Sequence, residues 1–204
     1  MAGAAALLGS GACASRALPR FDPVGAAEAS RVLEIWEAAL ERADRSAASR
    51  LLYDASVSQG LARIPGTLAV SQRPGSVSAT LTGPFGSPIA RYEAGVLRGD
   101  RLRPLAIEPE ELRALLAGVW RGEAPAVAGV RDGRALLRWE EGDRIEGVLD
   151  VTAGRLISLR IARPQGELLA RYSGRWDPWP ERIELEAGSS GHKMRLSLIG
   201  REPL

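Results

Sequence analysis

Nucleophilic catalysis needs a hydroxyl or thiol within reach of a base, and Ser189 and Ser190 stand close in sequence to His192, the only histidine among 204 residues. The surrounding glycines mark a hairpin turn, without the strand-to-helix elbow that would present a serine hydroxyl, so turn chemistry accounts for the cluster. The carboxylate pairs Glu110-Glu111 and Glu140-Glu141 offer an acid and a base, but adjacent side chains face different directions and cannot form a dyad. The first pair reads as the start of a helix and the second as the border of a turn. One cysteine, Cys13, leaves no disulfide framework and no Cys-rich zinc site within one chain, and one histidine argues against a His-based metal site or a Ser-His-Asp triad. The expectation is a protein without catalytic residues, metal ligands or cofactor.

Charge excludes a second class. With 27 Lys+Arg against 25 Asp+Glu, the net charge of +2 is too small to imply nucleic-acid binding. Arginine and tryptophan do gather over 171–182, but no RNA-binding aromatic motif accompanies them. Trp176 and Trp179, flanking Asp177-Pro178, are expected at a barrel rim or a membrane interface.

Cys13 has a different use. Residues 1–12 read MAGAAALLGSGA and carry no charged side chain. About a dozen small apolar residues are too few to span a membrane, which takes roughly 20. They fit the apolar core of a secretory signal closed by Ser10, Gly11 and Ala12. A cysteine directly after such residues resembles a bacterial lipobox, although Ser10 stands where lipoboxes usually carry Leu. The resemblance implies that residues 1–12 are removed, that Cys13 becomes the lipidated first residue, and that 13–23 is a linker before a single domain, 24–204.

Within that domain the period of the apolar residues sets the elements. Val32, Leu33, Trp36, Leu40 and Ala43 recur at three- and four-residue spacing and predict a helix within 24–46. From Leu51 the period becomes two, predicting strands at 57–59, 68–72, 77–81, 89–94, 96–102, 135–140, 145–151, 156–162, 168–173, 182–187 and 194–199, with turn signals between them. A second helix interrupts the series: Pro109 suits its first turn, Leu112, Leu115, Leu116 and Val119 form its stripe, and Gly118 or Gly122 ends it. Connections this short imply an antiparallel meander, since parallel strands need crossover helices. About 11 strands cannot stay flat, so the fold class is mainly β: a sheet curled into an incomplete barrel, its concave apolar face covered by two helices. Trp36, Leu40, Leu81, Leu112, Leu116, Leu137, Trp139, Leu149 and Leu196 fall on the inward faces. Packing explains each first, and a deep pocket would make some of them ligand contacts as well.

Three segments carry a family resemblance. Residues 77–94, VSATLTGPFGSPIARYEA, resemble the strand–loop–strand of the LolB lipoprotein-localisation receptors, which share a fold with the LolA periplasmic carriers. IEPEELRALLAGVWRG at 107–122 resembles the family's inserted helix, and RYSGRWDPWPERIELEAGSSGHKMRLSLIG at 171–200 its final strands. The resemblance implies an incomplete barrel lidded by helices, whose cavity holds the acyl chains of other lipoproteins. It implies a monomer, anchored through Cys13 on the periplasmic face of the outer membrane, that takes acylated lipoproteins from a soluble periplasmic carrier. It further implies that Phe85, between Pro84 and Gly86, is the exposed apolar loop residue through which such receptors insert their cargo. The alternative is an anchored envelope lipoprotein that binds a protein on its sheet. That reading predicts a filled core and no lipid transfer, where the receptor reading predicts an empty or lipid-loaded cavity.

Overall fold

The computed structural model describes residues 20–44, 48–59, 62–73, 76–99, 102–140, 144–188 and 191–204. Helix α1 spans Ala26–Asp44 and turns Val32, Trp36, Ala39 and Ala43 inward, the four- and three-residue spacing that lines one helical face. Six strands follow: β1 Ser49–Gln59, β2 Ala62–Arg73, β3 Ser76–Thr82, β4 Pro88–Glu93, β5 Val96–Gly99 and β6 Leu102–Ala106. Helix α2, Pro109–Ala117, comes next, and then β7 Ala126–Arg131, β8 Arg134–Trp139, β9 Arg144–Asp150, β10 Arg155–Arg163, β11 Gly166–Trp176, β12 Pro180–Ala187 and β13 His192–Pro203.

All strands join one antiparallel sheet in the order β6-β5-β4-β3-β2-β1-β13-β12-β11-β10-β9-β8-β7. The meander is broken once. Strand β1 pairs with β13 at the centre of the sheet, Val57 opposite Met194 and Ala55 opposite Leu196, which leaves β6 and β7 as the two free edges. The chain linking those edges is the segment that carries α2, so the helix enters where a closing barrel would have its seam. Inward positions from β1 to β13 make a continuous core with α1 and α2, including Leu51, Tyr53, Leu81, Leu137, Leu149, Leu159, Ala170 and Ile183. The opposite face is largely polar apart from a buried pair, Leu136 against Val148. There Arg138, Arg144 and Arg160 approach the Glu146 carboxylate at 3.0, 3.0 and 3.7 Å, a cross-strand lattice over β8, β9 and β10.

The sheet has 13 strands rather than about 11. The expected strand 96–102 divides into β5 and β6, and β7 is additional. Both additions are the sheet edges. Strand β6 contains Pro104, which donates no backbone hydrogen bond, and β7 reads AVAGVR, small and glycine-bearing. Edges tolerate such residues because half of their ladder groups have no partner strand, so they lack the Val/Ile/aromatic alternation that identifies inner strands.

The edge at β7 is partly covered. Asp22 makes an antiparallel bridge to Val130, with N–H to O distances of 3.3 and 3.0 Å in the two directions, and Arg131 donates to the Arg20 carbonyl at 3.2 Å. Gly129 permits this approach, since a Cβ there would stand 2.6 Å from the Asp22 carbonyl oxygen and 2.7 Å from Phe21 Cβ. The segment before α1 is thereby fixed to the sheet margin.

Candidate functional site

Helix α2 is buried on nearly every side, presenting Leu112, Ala114, Leu115, Leu116 and Ala117 to its surroundings. Such a helix keeps its place only if its polar groups are met from the sheet. They are met at three points. The Glu111 carboxylate accepts from the Glu108 amide at 2.7 Å and from Arg163 at 3.1 Å, and Arg163 also donates to the Ala106 carbonyl at 2.9 Å. Tyr92 donates to the Ile107 carbonyl at 2.7 Å. Tyr172 donates to the Leu115 carbonyl at 3.0 Å, with the Ala114 carbonyl at 3.4 Å. The helix stops at Gly118, left-handed at φ 65°, whose N–H returns to the Ala114 carbonyl. Beyond it, Trp176 packs edge-on against Tyr172, ring centroids 5.5 Å apart; Trp176 is half-buried and Trp179 fully buried against the core.

With α2 in place, an apolar cavity of about 60 Å³ is walled by Val57, Leu97, Ile107, Leu115, Leu168 and Met194, and a larger, more polar cleft of about 440 Å³ opens between α1 and the end of α2, beside Arg42, Gly118, Arg155 and Trp176. The first is smaller than the ~150 Å³ apolar cavity that admits benzene. Glu186 stands at its rim, accepting from Lys193 at 3.1 Å and paired with Arg171 at 3.2 Å. Burial alone would push that carboxyl up, but the bonds and charges of Lys193 and Arg171 outweigh it and hold the group below its usual range.

The nine inward residues named from the sequence belong to one body. Trp36 and Trp139 meet edge-on with centroids 5.3 Å apart, and Leu81, Leu112, Leu116, Leu137, Leu149 and Leu196 are buried with them, while Leu40 is half-buried against the same core. The cavity walls come from other residues: Val57, Leu97, Leu168 and Met194 on strands, Leu115 on α2 and Ile107 just before it. Alternation marks which face a residue takes; whether space is left beside it depends on the seat of α2.

All three tyrosines, Tyr53, Tyr92 and Tyr172, are buried. Burial disfavours the phenolate and raises each pKa, and for Tyr92, where Glu108, Glu110 and Glu111 add to the effect, it is pushed up to about 12. Above pH ~10 the unfolded chain releases phenol protons that the folded chain retains. The tyrosine contribution to stability is therefore whole below pH ~10 and is lost as pH rises, for Tyr92 through about 12. At pH ~10, where free tyrosine is half ionised, the folded protein is expected to show almost no phenolate absorbance, which should appear together with unfolding at higher pH. A half-ionised signal with native circular dichroism would contradict the burial of these side chains.

The loop between β3 and β4 has the opposite character. The Gly83 amide donates to the Ser87 carbonyl at 2.8 Å and the Gly86 amide to the Gly83 carbonyl at 3.0 Å, closing a tight turn around Pro84 and Phe85. Gly86 takes φ 76°, a conformation that side-chain-bearing residues rarely adopt. Phe85, at the tip, is 97% exposed. An isolated phenyl ring held in water on a rigid turn is an apolar probe directed away from the molecule.

Cys13, residues 1–12 expected as a signal and the first part of 13–23 expected as a linker lie outside the described residues, as do Ser189 and Ser190. Among the described residues no group of three or more His, Cys, Asp or Glu side chains is placed to hold a metal ion, and no helix is long and apolar enough to cross a membrane.

An open antiparallel sheet curled around an inserted helix, with a second helix against its core, is the LolA/LolB-like fold. Solved structures agree. A domain from Vibrio parahaemolyticus, described as an outer membrane lipoprotein-sorting protein, superposes with a TM-score of 0.50 at 10% identity, over 86% of this chain and 93% of that one. A DUF1329 family protein from Desulfovibrio piger superposes with a TM-score of 0.50 at 9% identity, over 86% of this chain and 92% of that one. No protein-family model and no curated protein matches the sequence.

Proposed function

We propose that this protein is an outer-membrane lipoprotein that receives the acyl chains of other lipoproteins and inserts them into the outer membrane. Cys13 would be its lipidated anchor, acylated lipoproteins its cargo, and a soluble periplasmic carrier its donor. The observation that carries the reading is Phe85, 97% exposed on a turn shaped by Pro84 and Gly86 at the margin of an apolar interior. A phenyl ring so held loses little freedom on entering a membrane and gains the burial of its apolar surface. Acyl chains would displace α2 and occupy the core face formed by Trp36, Leu40, Leu81, Leu112, Leu116, Leu137, Trp139, Leu149 and Leu196, beginning from the cavity beside Val57 and Met194.

A second reading rests on the small cavity, about 60 Å³. With its core filled, the domain would be an anchored module binding an envelope protein, without lipid transfer. The deciding experiment loads a soluble carrier with an acylated lipoprotein and adds this protein and liposomes. Cargo reaching the liposomes only when this protein is present supports the receptor; cargo remaining on the carrier supports the module. Cys13→Ser tests the anchor separately. The variant is expected in the soluble periplasmic fraction, and unchanged membrane fractionation would remove the lipidation reading.

A further inference from the structure

Directly below the Phe85 turn the sheet carries an unfavourable charge arrangement. Arg91 of β4 and Arg98 of β5 are register partners, directly opposite each other, and both are exposed. Like charges facing each other across an antiparallel pair lie about 5 Å apart at Cβ and destabilise the pairing. Little offsets them. Arg91 reaches Glu93 only at 3.9 Å, with both side chains more than half exposed, and the Arg98 side chain makes no ion pair or hydrogen bond among the described residues. An open groove runs beside the two guanidinium groups, lined also by Pro88, Ile89, Ala90, Gly99 and the Glu93 carboxylate, one negative charge against two positive ones. Its floor is backbone at Gly99, where a Cβ would stand 2.4 Å from the Ile89 carbonyl oxygen.

The position of the pair relates it to the loop. Strand β4 begins at Pro88, immediately after the turn, and Arg91 is three residues along it, about 10 Å at the rise of a strand. Apolar groups that settle in a membrane interface sink roughly 5–10 Å past the headgroups. With Phe85 at that depth, Arg91 and Arg98 arrive at the level of the lipid phosphates. Two planar guanidinium groups match the oxygens of a phosphate better than those of any neutral headgroup. Their doubled charge favours a lipid with no cation of its own.

We propose that Arg91 and Arg98 form a headgroup clamp for the phosphate of an anionic membrane phospholipid, engaged when Phe85 enters the bilayer. The proposal rests on the membrane-inserting reading of Phe85, and its test separates the two. The full-length chain carrying Cys13→Ser, so that no acyl anchor contributes, is titrated with vesicles of phosphatidylcholine alone and of phosphatidylcholine mixed with phosphatidylglycerol. The mixed vesicles are expected to bind at least tenfold tighter, with the difference shrinking at high salt. Arg91→Gln and Arg98→Gln should each weaken binding to them about fivefold, and the double variant about 25-fold.

Arg91→Glu adds a readout that a structural role would not give. A carboxylate opposite Arg98 makes a complementary pair, so thermal stability is expected to rise while vesicle affinity falls. Equal binding by the parent and the double Gln variant overturns the clamp, even if Phe85→Glu abolishes binding and so leaves the insertion reading standing. Loss in the arginine variants with full binding by Phe85→Glu shows an anion site that works without insertion and overturns a clamp engaged through Phe85. If millimolar inorganic phosphate displaces the parent beyond the effect of chloride at equal ionic strength, the site belongs to free phosphate and the lipid proposal fails.

Discussion

Under the proposed receptor function, Phe85→Glu is expected to leave cargo on the protein: delivery to liposomes should fall about a hundredfold, while uptake from the carrier and the thermal midpoint stay unchanged. The size follows from where the side chain must go. A carboxylate costs about 2.5–3.5 kcal/mol when carried into a bilayer core, where Phe is itself favourable. In the folded protein the same substitution meets almost nothing, because Phe85 is 97% exposed and the turn is closed by backbone hydrogen bonds between Gly83, Gly86 and Ser87. Surface changes of this kind shift stability by within ~0.5 kcal/mol. Phe85→Leu, still apolar, should keep most of the delivery. The measurement is the rate at which acylated cargo appears in liposomes, with calorimetry on the same samples. Delivery by Phe85→Glu within twofold of the parent would remove the loop from the mechanism.

This result bears on a residue that was legible before any coordinates. Pro-Phe-Gly between two period-two runs specifies a tight turn, and the middle residue of such a turn has little sheet beneath it. Both helices were legible for a related reason: each has a stripe at helical spacing and a boundary residue, Pro109 and Gly118 for α2. What escaped was whatever depends on partners distant in sequence. Strands β6 and β7 read weakly because edges need no strong pattern. The Asp22–Val130 bridge joins residues more than a hundred positions apart, and local spacing says nothing about it. The charge conflict of Arg91 and Arg98 needs the register of β4 on β5. That register is set by a turn at Ala94-Gly95, both at positive φ, and alanine there gives none of the warning that Asn or Asp would. The cavity escaped for a steric reason. Its walls combine strand residues with Leu115 of α2 and Ile107 before it, so the space depends on how α2 sits against the sheet, which local spacing does not specify.

The tether that holds α2 decides between the receptor and the filled module, and Arg163 is where to cut it. Arg163→Met is expected to lower stability by about 3–5 kcal/mol, since it takes the guanidinium away from the buried Glu111 carboxylate. Both partners are well buried, at 11% and 6% exposure, so water does little to compensate. Arg163→Met combined with Glu111→Leu should recover most of the loss, because an apolar pair of similar volume no longer leaves a buried charge. Function separates the two readings more sharply than stability. Once Arg163 is gone, the N-terminal end of α2 is held more weakly, by the Tyr92–Ile107 bond, the Ile107–Gly95 backbone bond and apolar packing among its contacts. A receptor whose acyl site lies beneath that helix should then take up a fluorescent fatty acid at least tenfold faster than the parent. Tyr172→Phe, which releases the Leu115 carbonyl at a cost of about 1–3 kcal/mol, should give a smaller acceleration in the same direction. A module with a permanently filled core predicts the same losses of stability with no uptake in any variant. The rate of fatty-acid entry, measured under conditions where each variant is still folded, therefore tells a lid from a plug.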